Sequence, residues 1–146
     1  MARIADATIP DDEALYRSVA KDHVDDRLVV LATAVEVPAC SFNRGKYSAP
    51  EHVLVPSRPK DNGILVITPK ELPPPIPRAD EVPYEFFAAD DPCPPEDAGN
   101  EAHCEVRIRR QGHDYTKNLK LKPKPEMAMK AREALARKLR IHRAPT

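Results

Sequence analysis

The sequence predicts a small α+β domain: a mainly antiparallel sheet, a short N-terminal helix, and a C-terminal helix packed on one face. Three stretches carry that expectation. "HCEVRIRR" alternates so that Cys104, Val106 and Ile108 face one way and His103, Glu105, Arg107 and Arg109 the other, the two-residue period of a half-buried strand. "GILVITP" is short, apolar and β-branched, and Pro69 ends it. "EMAMKAREALARKLR" repeats an apolar residue every fourth position, at Met127, Ala131, Leu135 and Leu139, which is a helical stripe.

Taken in order, the chain opens with a predicted short helix near residues 11 to 19. Leu15 and Val19 stand four apart, and Asp11, Asp12 and Glu13 suit the positive end of a helix. "RLVVLATAVEVP" reads as a strand stopped by Pro38, and "ACSFNRGKYSAP" as a turn punctuated by Asn43, Gly45, Ser48 and Pro50. "EHVLVP" and "GILVITP" read as neighbouring strands joined across the Asp61-Asn62-Gly63 turn signal. "KELPPPIPRADEVP" is expected to run extended over the surface, because each proline removes a donor and fixes φ. "YEFFAA" returns as an edge strand with Tyr84 and Phe86 on one side, and "YTKNLKL" is the antiparallel partner of "HCEVRIRR". Pro125 can sit in the opening turn of the last helix, where its missing amide is not needed. The organisation is one domain over residues 1–146, with a proline-rich acidic extended region at 71–100 and a C-terminal helix at 126–140.

Net charge is zero, yet the charges are segregated. Residues 71–105 carry ten carboxylates against Arg78, whereas 106–146 carry thirteen Lys or Arg against Asp114, Glu126 and Glu133. Blocks of this kind complement each other within a fold, pair two copies, or offer a basic surface to a partner. The sequence points to the last: Arg107, Arg109, Arg110, Lys117, Lys120, Lys122, Arg137 and Arg140 gathered as a binding surface. Another protein is the favoured partner. Nucleic acid is the alternative on the same residues, with Tyr115 the lone stacking aromatic in that half, and a homodimer is allowed.

Catalytic signals are sparse. His103 and Glu105 share a strand face and are the candidates for acid–base work or cation binding in a hydrolase or metal-dependent enzyme. No HExxH, GxSxG or glycine-rich phosphate loop is present, so a non-catalytic role without cofactor or metal is favoured. Cys93, His103 and Cys104 lack the close spacing of a structural zinc site, and the last two point to opposite faces. Cys40, near Arg44 and Lys46, is the cysteine whose surroundings favour a thiolate. Three cysteines and no apolar leader or membrane-length run place the chain in the cytoplasm.

Two fragments, "DDEALYRSV" and "NEAHCEVRIRR", together resemble small uncharacterised bacterial proteins with an early Leu-Tyr-Arg segment and a late Ala-His-x-x-Val segment. The resemblance implies a bacterial setting and a partner within a multigene system. It carries over no catalytic residue.

Overall fold

A computed structural model describes residues 3–55, 59–95, 99–114 and 122–146. Among them, seven strands build one curled antiparallel sheet, a half-barrel, and Pro125–Lys138 forms the α-helix, α1. The strands are β1 (Leu15–Val19), β2 (Ala39–Arg44), β3 (Gly63–Ile67), β4 (Ile76–Arg78), β5 (Glu81–Asp90), β6 (His103–Arg110) and β7 (Arg140–Arg143). Their order is β4-β5-β6-β2-β1-β3-β7. This corrects the expected small sheet flanked by two helices: the N-terminal helix is absent and the sheet is much larger.

The correction begins at β1. Leu15 and Val19 lie four apart, but they also lie on one face of a strand, and local spacing does not separate the two. The sheet decides, since β1 is bonded on both edges, to β2 and to β3. Leu15 pairs with Ile67 and Val19 with Gly63, so both point inward and are buried. Arg17, between them, reaches out to the carbonyls of Ala34 (3.0 Å) and Ser41 (2.9 Å).

Three more expectations change for the same reason. "ACSFNR", expected as a turn, is central strand β2, with Cys40 opposite Val106 and Phe42 opposite Cys104. The turn signals act only afterwards, where Tyr47 and Ser48 amides bond the Arg44 carbonyl. "RLVVLATAVEVP" is not a strand: it is a Val24–Val30 bridge and a 3-10 turn at Ala32–Ala34 that buries Val30, Ala34 and Val35. "EHVLVP" contributes a 3-10 turn at Pro50–Val53, so β3 is flanked by β1 and β7 instead.

The proline-rich stretch is not one extended span over the surface but a 3-10 turn followed by two paired strands. Thr68 and Glu71 form a reciprocal capping box, the Thr68 amide and hydroxyl both donating to the Glu71 carboxylate. Edge strand β4 follows, with Pro77 at a position where a missing donor is tolerated. Asp80 turns the chain at φ 58°, and ten-residue β5 lies inside the sheet between β4 and β6, not at its edge. Tyr84 and Phe86 do share a face, opposite Arg110 and Ile108.

β6 and β3 occupy the predicted stretches, and Pro125 sits in the first turn of α1. Ala131, Leu135 and Leu139 are buried and Met127 half-buried. Leu135, Ala136 and Leu139 share the main core with Cys40, Phe42, Leu65 and Val106. Ala131 joins a second cluster with Ile76, Tyr84 and Ile108. The helix ends two residues earlier than expected, because Arg140–Arg143 pair with β3. "YTKNLKL" lies outside the described residues. Among the described residues no helix is long and apolar enough to cross a membrane.

Candidate functional site

Among the described residues, the basic side chains predicted to form one surface do not all face the same way. Alternation along β6 sends Arg107 and Arg109 to the outer face and Arg110 to the other, opposite Tyr84. Arg107 is buried to 9% exposure and lies 2.7 Å from Glu105. Arg109 bonds Glu85, its register partner, at 2.7 Å and stacks on Phe87 at 4.2 Å. Arg140 grips Glu71 with two hydrogen bonds of 2.6 and 2.9 Å. That contact holds the Glu71 carboxyl down at about 2, the Arg140 hydrogen bond being the main cause. Arg137 stands 4.0 Å from Glu133 one turn back on the helix. Lys122 is exposed, and Lys117 and Lys120 fall outside the described residues. The acidic block therefore supplies counter-charges to the basic one within the fold, a pairing of residues far apart in sequence that composition does not reveal.

On the outer face, His103 is the centre of a more specific arrangement. Its Nδ1 lies 2.7 Å from the main-chain carbonyl oxygen of Asp91 and 3.4 Å from that residue's carboxylate. Its Nε2 lies 3.2 Å from the Ser41 hydroxyl. A carbonyl only accepts, so Nδ1 carries the hydrogen, and in the neutral imidazole Nε2 presents its lone pair to Ser41. Sequence reasoning singled out His103 but paired it with Glu105. In the structure Glu105 accepts from Arg107, at 2.8 Å from Nε, and the imidazole is held by Asp91 and Ser41 instead.

Asp91, His103 and Glu105 do offer ligand atoms within 4.8 Å of one another. A dication there would meet the Arg107 guanidinium, 2.7 Å from Glu105 and 4.0 Å from Asp91. Like charges at that range repel strongly in a half-buried setting, so the cluster reads as an ion-pair network. His103 and Cys104 point to opposite faces, and Cys104 is fully buried, which removes the mixed Cys/His site. Cys40 is buried too, and burial pushes both thiols up, away from the thiolate expected of Cys40.

A pocket of about 180 Å³ adjoins His103, its outer-face lining including Tyr16, Ser41, Asn43, His52 and Asn100, with Val53 and Val55 on one side. Asn100 donates to the Asn43 side-chain oxygen at 2.9 Å, while its own oxygen accepts from the Ala102 amide.

Two further features were not found from sequence. The first is a buried ionic cluster at the end of β2. Arg44, fully buried, makes paired 2.7 Å bonds to Glu13, a 2.6 Å bond to Asp6 and a 3.2 Å contact with Asp90. Arg3 also grips Asp90 and lies 3.7 Å above the Tyr47 ring. These contacts tie residues 3 to 13 across β2 and β5. The second is an exposed apolar knuckle. Val30 is buried, whereas Leu28, Val29 and Leu31 are 51%, 50% and 37% exposed. Leu28 has φ 62°, a left-handed conformation disfavoured for a branched side chain. One Asp25 carboxylate oxygen accepts from the Arg27 and Val29 amides, and the Leu31 amide donates to His23. A contiguous "LVVL" beside paired aspartates was the available signal, but it reads equally well as a strand.

No family model matches the chain, and no curated protein or solved structure is significantly similar to it.

Proposed function

We propose that the chain is an interaction protein whose contact surface is the knuckle of Leu28, Val29 and Leu31. One observation carries the reading: a leucine held at φ 62° with half its surface in water. That backbone costs a non-glycine residue about 1–2 kcal/mol, and leaving the side chain exposed returns nothing in the free chain. The loop is nevertheless pinned by the Asp25 carboxylate, the Val24–Val30 bridge and the His23 carbonyl. A loop already ordered loses little entropy on association, so such a tip supplies an anchor at low cost. Exposed Asp22, Asp25 and Asp26 outnumber exposed Lys21 and Arg27 beside it, and this acidic excess favours a partner whose apolar pocket has a basic rim.

The nucleic-acid alternative loses support because Arg107, Arg109 and Arg140 are already paired with carboxylates, which leaves fewer cations to displace counterions.

The test is the paired variant Leu28→Gly, Val29→Ser. Glycine accepts the left-handed backbone, so unfolding free energy is expected to stay level or rise slightly. Affinity for a partner captured by the wild type and then purified is expected to fall about 30-fold or more. Undiminished binding by this variant would sink the proposal. Light scattering of the wild type and variant separates an outside partner from a second copy.

A further inference from the structure

We propose that Ser41 is an activated nucleophile, with His103 its general base, and that the adjoining pocket takes a small carboxylic ester. The argument starts from hydrogen positions. Nδ1 of His103 is committed as donor to the Asp91 carbonyl at 2.7 Å, so in the neutral ring Nε2 is the acceptor, 3.2 Å from the Ser41 oxygen. That is the orientation in which an imidazole removes a proton from a hydroxyl. The Asp91 carboxylate, 3.4 Å from Nδ1, stabilises the imidazolium that results. Ser41 is exposed at the pocket wall, so the oxygen is accessible.

The pocket supplies the remaining requirements. Asn43 is two residues along the same strand and opposite His103 in the β2–β6 register, so Ser41, Asn43 and His103 share a face. The Asn43 oxygen accepts from the Asn100 amide, which assigns the two ends of the Asn43 side chain and leaves its NH2 group to donate elsewhere. Donors of this kind stabilise an oxyanion. Val53 gives an apolar wall for a short acyl chain. The volume of about 180 Å³ suits a small acyl group.

In the reaction, the Ser41 oxygen attacks the ester carbonyl carbon while its proton passes to Nε2. The carbonyl pair moves onto oxygen, beside the Asn43 NH2 group. Collapse breaks the bond to the alkoxy group, which leaves as the alcohol with the proton from Nε2. Water, deprotonated by Nε2, then attacks the acyl-serine, and its collapse returns the proton to Ser41 and releases the carboxylic acid.

The test is covalent labelling of the full chain with a fluorophosphonate, read by intact mass and peptide mapping, together with p-nitrophenyl acetate hydrolysis. Expected is one adduct, on Ser41, lost in Ser41→Ala and slowed about 100-fold in His103→Gln, in line with removal of a general base. Asn43→Ala is expected to retain the adduct but hydrolyse the ester more slowly. Thermal melts of each variant must match the wild type, and Ser41→Ala, which removes only a surface hydroxyl, keeps the test valid if His103→Gln misfolds. Absence of an adduct on Ser41 in the folded wild type overturns the proposal, as does equal labelling in a folded His103→Gln. Loss of the knuckle leaves these readouts unchanged, so the two proposals fail separately.

Discussion

Replacing Arg44 by methionine is expected to be the most damaging single change in the ionic framework. Methionine keeps much of the volume, so the loss is electrostatic more than a cavity. Arg44 stands among three carboxylates, bonded to Glu13 at 2.7 Å through two nitrogens, to Asp6 at 2.6 Å and lying 3.2 Å from Asp90. The Asp90 side chain is fully buried and that of Glu13 nearly so. Without Arg44, Asp90 keeps Arg3 and the Asp6 amide, Asp6 keeps the Tyr47 hydroxyl with Arg3 at 3.7 Å, and Glu13 loses both of its guanidinium bonds. Removing one member of a buried ion pair costs about 3–5 kcal/mol, mostly as the penalty on the charges left behind. For a domain of this size that corresponds to a melting shift of roughly 10–20 °C.

The pH dependence carries the sharper test. Arg44 hydrogen bonding holds Asp6 below the usual carboxylate range. At Asp90, burial pushes upward, but the Arg3 hydrogen bond and its neighbours outweigh it and the group also lies low. A carboxyl lower in the folded state than in the unfolded one contributes stability above the unfolded value, near 4, and loses it as pH falls through the folded value. In Arg44→Met the stranded carboxylates gain from protonation instead, so the deficit should narrow on acidification. Urea unfolding followed by circular dichroism at neutral pH and at about pH 3 measures both ends. A deficit under about 1 kcal/mol at neutral pH, or one of equal size at both, would refute the reasoning.

Two other expectations concern single contacts. Glu71→Gln removes the carboxylate that ties β7 to the capping box; allowing for solvent at the half-exposed Arg140, the loss is about 1–2 kcal/mol. Because the Glu71 carboxyl lies at about 2, that contribution should hold above its ordinary 4.5 and vanish in the wild type as pH falls toward 2, read by thermal melts across the acid range. Iodoacetamide should modify the half-buried Cys93 of the native chain first, while Cys40 and Cys104, buried with raised thiols, react only on unfolding. Native modification of Cys40 at the rate of Cys93, by peptide mass spectrometry, would contradict the buried placement.

What the sequence determined by itself is local. The alternation of "HCEVRIRR", the continuous apolar run of "GILVITP" and the four-residue stripe after Pro125 each contain enough repeats to name one element, and β6, β3 and α1 lie there. "LYRSV" does not, because five residues with apolar ends fit a helical turn and a strand alike, and only bonding to β2 and β3 chose. "ACSFNR" was hidden by Asn43 and Arg44, whose polar character reads as a turn until Glu13, Asp6 and Asp90 are brought to the arginine. The tertiary structure alone decided the charge pairing and the site. Glu71 and Arg140 are 69 residues apart, and Ser41 and His103 are 62 apart. Side-chain chemistry announces what a residue can do, but its partner is set by strand register across the sheet, and register is a property of the closed core, not of any short window of chain.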